Sequence, residues 1–95
     1  MKTPEAKVKD DVKKYLDSIE TYYFMPVQTG YGATTLDFLV CYKGVFIGIE
    51  TKAPGRKATA RQRRVIENIK KAGGHAFVVD DVKQLKTWWV AGCVA

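Results

Sequence analysis

Apolar residues recur at helical spacing near the start of the chain. Val8, Val12, Leu16 and Ile19 fall on one stripe at 3.6 residues per turn. Thr3 offers an N-cap and Pro4 a first helical residue whose missing N–H costs nothing, so a helix is expected from Pro4 to about Ile19. The pattern then changes to β-branched and aromatic runs. Residues 22–28 read as a first strand with Pro26 near its end or on an edge, and a glycine-containing loop at residues 29–33 follows. Tyr31 in that loop reads as packed on its own domain more readily than as a base-stacking residue. Residues 36–42 and 45–52 are two strands split by Lys43-Gly44, the grammar of a hairpin.

Further on, Ala53-Pro54-Gly55-Arg56-Lys57 marks a turn, and Thr59 with Gln62 three residues later has capping-box spacing. The helix so opened has Val65, Ile66 and Ile69 as its apolar stripe, with Gln62 on the same side, and Gly73-Gly74 closes it. His75 to Val79 reads as a buried strand reached by a βαβ crossover and so parallel to its neighbour. Asp81 caps a last helix with Val82, Leu85 and Trp89 on its stripe; Trp88 is offset, toward solvent or a subunit contact. The order is α-β-β-β-α-β-α, an α/β fold with a mixed four-stranded sheet flanked by helices.

The hairpin sets a register. With Lys43-Gly44 as the loop, Tyr42 faces Val45, and stepping outward brings Asp37 opposite Glu50. Alternation puts Lys52 on the face of Glu50, about 7 Å along the strand. Like charges directly opposite one another destabilise a sheet unless they are neutralised. A hard divalent cation such as Mg²⁺, which commonly uses one or two protein carboxylates, would neutralise them. Glu-x-Lys in a strand is by itself an ordinary ion pair; the opposed Asp37 is what sets this one apart. On the first helix Glu5 falls on the apolar stripe, although an acid in a first turn also simply suits the helix dipole.

Charge is unevenly distributed within the net +6. Residues 1–50 carry six lysines against seven acids, net −1, and residues 51–95 carry ten basic residues against three acids, net +7. Lys52, Arg56, Lys57, Arg61, Arg63, Arg64, Lys70 and Lys71 surround a single acid, Glu67. Such a cluster beside a carboxylate pair suggests a polyanion held over a metal. The 95 residues are expected to form one domain spanning 1–95, cytoplasmic, with no membrane segment or signal peptide. Cys41 and Cys93 suit neither a zinc site nor a disulfide scaffold, and His75 reads as structural.

Asp37, then Glu50-Thr51-Lys52 after a hairpin, then Pro54-Gly55, then Thr59 and Gln62 opening a helix, resembles the PD-(D/E)XK nucleases and, within them, the virus-type replication-repair nuclease (VRR-NUC) domain. The resemblance runs from Glu5 to the strand after Gly74. It departs at Leu36, where the family often has proline. The resemblance implies a restriction-endonuclease-like core and a Mg²⁺-dependent DNA endonuclease, with Mn²⁺ able to substitute. Asp37, Glu50, the Thr51 carbonyl and Glu5 would serve the metal, and Asp37, Glu50, Lys52 and Gln62 the catalysis. Arg56, Lys57, Arg61, Arg63 and Arg64 would bind DNA. It further implies a stand-alone viral type, working in the host cytoplasm as a homodimer on branched DNA, like a Holliday-junction resolvase in replication, repair or recombination. A nicking or flap-cutting nuclease and a non-catalytic DNA-binding module are the alternatives.

Overall fold

A computed structural model describes residues 2–27 and 35–92. The elements are α1 (Pro4–Ser18), β1 (Tyr22–Phe24), β2 (Phe38–Tyr42), β3 (Val45–Thr51), α2 (Ala60–Lys71), β4 (His75–Val79) and α3 (Val82–Val90), in the expected order. One sheet runs β1-β2-β3-β4, antiparallel except for the parallel β3–β4 pair. Among the described residues no helix is long and apolar enough to cross a membrane.

The hairpin has the expected register, with Tyr42 opposite Val45 and Phe38 opposite Ile49. Its two-residue loop has positive φ at both positions, 50° at Lys43 and 81° at Gly44. That is the type I′ geometry whose twist matches the flanking strands. Because the register is locked there, the next step outward sets Asp37 beside Glu50.

The two sheet faces are covered unequally. On one, Val8, Val12 and Leu16 of α1 and Leu85 and Trp89 of α3 meet Phe38, Val40, Ile47, Ile49 and Val79, the larger core. On the other, α2 covers β3 and β4 through a smaller cluster of Leu36, Ile66 and Ala76. Gly48 permits that approach: a Cβ there would come within 2.8 Å of the Ile69 Cδ1 and 2.9 Å of the Leu36 Cδ1. Helix α2 begins with the full capping box, each of Thr59 and Gln62 binding the other's backbone N–H.

Three expectations change. β1 ends at Phe24 rather than residue 28, because Pro26 has no N–H for a ladder and biases Met25 before it. β2 begins at Phe38, because the Asp37 N–H goes to the Glu50 side chain and Leu36 turns away into the α2 cluster. Trp88 is half-buried and packs on its own sheet, with ring centroids 4.8 Å from Phe77 and 5.4 Å from His75. The loop at residues 29–33, with Tyr31, and Cys93 lie outside the described residues.

Candidate functional site

Asp37, Glu50 and Thr51 are the buried polar residues among those described, with 8%, 4% and 0% of their surface exposed. Two acids out of water in so small a domain need partners, since an uncompensated buried charge is costly. Strand β3 supplies Glu50 and Thr51 at its C-terminal end, and the chain entering β2 supplies Asp37.

The two carboxylates interlock rather than merely face each other. Asp37 donates its backbone N–H to the Glu50 Oε1 at 3.2 Å. The Asp37 Oδ2 in turn accepts from the Thr51 N–H at 3.0 Å and the Thr51 hydroxyl at 2.6 Å. The Glu50 Oε2 accepts from the Gln62 Nε2 at 2.7 Å and lies 3.7 Å from the Lys52 Nζ. Gln62 does two things at once, its side-chain oxygen capping the Thr59 N–H at 2.9 Å while its amide nitrogen holds Glu50. The capping geometry thus aims the amide at the sheet.

Burial and the neighbouring Asp37 push the Glu50 carboxyl up to about 7, only partly opposed by the Lys52 ammonium and the Asp37 N–H. Glu5 adds to this repulsion from a distance. It is itself exposed, because the buried stripe of α1 starts one turn later at Val8. Glu5 lines a pocket of about 370 Å³ with Lys52, Arg56 and Lys57. Among the described residues no group of three or more His, Cys, Asp or Glu side chains could hold a metal ion, so Glu5 does not join the pair as a third carboxylate. The site is a two-carboxylate one with Glu5 at its rim.

The expected DNA-binding residues are all exposed but divide between two surfaces. Arg56 and Lys57 lie at the mouth of the Glu5–Lys52 pocket. Arg63 and Arg64 line a second groove between α2 and β4, together with Lys70 and Lys71. Arg61 sits exposed on the first turn of α2. Arg63 also ties the preceding turn down, donating to the Ala58 carbonyl at 2.7 Å.

Two contributors escaped the sequence reading. Asp80 accepts the Gly55 N–H at 2.9 Å and so anchors the turn after Lys52 to the end of β4. Lys9 brings its Nζ to 3.6 Å from the Asp37 Oδ1. A signal for it existed, since Lys9 follows Glu5 by one i,i+4 step and shares its helix face.

A solved structure described as a VRR_NUC domain superposes with a TM-score of 0.77 at 25% sequence identity, covering 92% of this chain and 95% of its own. No family model and no curated protein matches the sequence. The similarity bears out the resemblance drawn from Asp37, Glu50-Thr51-Lys52 and Gln62 and the four-stranded core that goes with it.

Proposed function

We propose that this chain, which has the fold of a VRR-NUC domain, is a divalent-metal-dependent endonuclease that hydrolyses phosphodiester bonds in DNA. The observation that carries this reading is the burial of Asp37 and Glu50 side by side, with Glu50 raised toward neutrality by its surroundings. A purely structural pair gains nothing from like charges buried together. A hard cation relieves that repulsion, and carboxylate oxygens suit Mg²⁺, or Mn²⁺ in its stead. The residues fit such an ion: among the described residues the Asp37 Oδ1 accepts no hydrogen bond and has only the Lys9 ammonium near it. Asp37, Glu50 and the Thr51 carbonyl would hold the ion, with Glu5 acting from the rim through water.

When bound, the metal supplies Lewis acidity at the phosphate and a more acidic water. The remaining work belongs to the chain. Thr51 fixes the rotation of Asp37 and Gln62 that of Glu50, so the oxygens are aimed before substrate arrives. Lys52 either orients and helps deprotonate the attacking water or stabilises charge on the pentavalent phosphate. Arg56 and Lys57 seat the scissile phosphate from the pocket beside Lys52, and Arg61, Arg63 and Arg64 grip the flanking backbone.

The working form is a homodimer that sets two such sites across a branched substrate, each copy a single domain over residues 1–95, in the cytoplasm of a host cell. Exposed Tyr22, Phe24 and Phe46, at 76%, 58% and 44%, favour association of the β1 side of the sheet. The test is cleavage of linear, flapped and four-way-junction DNA with Mg²⁺ or chelator, by the parent and by Glu50→Gln, with the mass measured by sedimentation. Metal-dependent cutting of the junction, lost by at least 1,000-fold in Glu50→Gln, is the expected result. Cutting confined to nicks or flaps would move the reading to those substrates. Tight DNA binding with no cutting in any metal would mark a binding module instead.

A further inference from the structure

Helix α1 uses two of its four lysines within its own length. Lys7 pairs with Asp11 and Lys13 with Asp17 at i,i+4, both on the exposed surface. Lys9 does otherwise: its half-buried stem crosses to the sheet and presents the Nζ to the Asp37 Oδ1 at 3.6 Å.

What makes this contact informative is which oxygen it addresses. Of the four carboxylate oxygens of Asp37 and Glu50, three accept hydrogen bonds: the Asp37 Oδ2 from Thr51, the Glu50 Oε1 from the Asp37 N–H, and the Glu50 Oε2 from Gln62. Among the described residues the Asp37 Oδ1 accepts no hydrogen bond and is faced only by the Lys9 ammonium. The oxygen best placed to ligate a cation is thus the one already facing a cation.

We infer that Lys9 is a built-in counter-ion of the metal subsite: its ammonium holds the Asp37 Oδ1 in the metal-free protein and must yield that position when a divalent ion binds. This rests on the two-carboxylate reading of the site and adds a residue to it that acts on the metal rather than on the substrate. Lysine suits the task. Its charge sits on a flexible four-carbon stem with three rotatable donors, so it can withdraw along the α1 surface without a backbone change. In place, it offsets the burial of Asp37 and weakens metal binding by competing for the same oxygen.

Two quantities respond in opposite directions. Removing the ammonium leaves Asp37 buried without its counter-ion, so the metal-free protein should melt lower. The same removal ends the competition, so a metal ion should bind more tightly. The probe is Mn²⁺ alone, without DNA, titrated calorimetrically into the 95-residue chain and into Lys9→Met, Lys9→Gln, Lys9→Arg and Asp37→Asn, with melting of each in chelator. Lys9→Met and Lys9→Gln are expected to bind Mn²⁺ about two- to fivefold more tightly than the parent, the range open to a partly exposed ion pair. Lys9→Arg should bind within about twofold of the parent. Asp37→Asn should lose at least about tenfold, and Lys9→Gln added to Asp37→Asn should then gain nothing further.

If both neutral variants bind Mn²⁺ no more tightly than the parent while Asp37→Asn loses binding, Lys9 is not the counter-ion and the inference is wrong. If Asp37→Asn binds Mn²⁺ as well as the parent does, it is the two-carboxylate reading that fails. Melting in chelator keeps the variants comparable: should Lys9→Met not fold, Lys9→Gln, which keeps a polar end group, decides the question.

Discussion

Helices α1 and α2 lie on opposite faces of the sheet, and each sends one polar side chain to the carboxylate pair: Lys9 to Asp37 and Gln62 to Glu50. In most other respects they differ. Helix α1 carries four lysines and four acids, net zero, whereas α2 carries five basic residues against Glu67, net +4. The basic side chains of α2 have no salt-bridge partner among the described residues, while two of the four α1 lysines are paired within the helix and a third with Asp37. Burial is divided the other way. Val8, Val12 and Leu16 of α1 belong to the larger core, and Ile66 is the one buried residue of α2. The helix that holds the fold together therefore has its charge balanced internally, and the helix packed more lightly keeps its charge available to an outside polyanion.

The contrast can be broken most forcefully through the core. Leu16→Ala should cost about 2–5 kcal/mol of unfolding free energy, because the side chain is fully buried and its neighbours cannot collapse around the void. Ile69→Ala on the α2 face should cost roughly 1–2 kcal/mol, being half-buried. Denaturant melts compare them, and equal losses would mean the two faces share the stability evenly.

The charge contrast comes next. Replacing Arg61, Arg63 and Arg64 with Gln should weaken DNA binding by on the order of 100-fold at low salt and flatten the slope of log K against log salt by about 0.9 per lost phosphate contact. Replacing Lys7 and Lys13, the two lysines paired within α1, should leave both nearly unchanged. A similar loss from the α1 set would show that paired and unpaired lysines serve alike.

The smallest effect concerns the carboxylates themselves. Asp37 receives a charge from α1, while Glu50 receives a neutral amide from α2 and sits near 7 rather than 4.5. A carboxyl raised in the folded state keeps a proton that the unfolded chain has lost. Its stabilising contribution is therefore full below about 4.5 and is lost as the pH rises through about 7. In chelator the parent should lose melting temperature across that window relative to Glu50→Gln, and saturating Mg²⁺ should remove the difference. Parallel melting curves at all pH values would mean that Glu50 ionises normally.

Much of this molecule was legible because its signals are local. The Lys43-Gly44 turn sets the hairpin register, and the register alone brings Asp37 beside Glu50. Thr59 and Gln62 announce the start of α2 by spacing, and one turn of helix fixes where the Gln62 amide can reach. Pro4 and Asp81 mark helix starts for the same reason: capping involves only three or four consecutive residues.

What the tertiary structure alone decided involves partners distant in sequence or directions that periodicity does not resolve. Alternation predicts a face for Asp37, but not that the Thr51 N–H and hydroxyl would draw its carboxylate across the strand end. A helical wheel puts Glu5 and Lys9 on one stripe, yet only the docking of α1 on the sheet leaves the first exposed and brings the second to Asp37. Trp88 looked free because its helix has another apolar stripe; Phe77 and His75 on an edge strand gave it a surface to pack against. Local sequence sets which side chains can meet, and the choice among the possible meetings falls to packing, which depends on the whole chain at once.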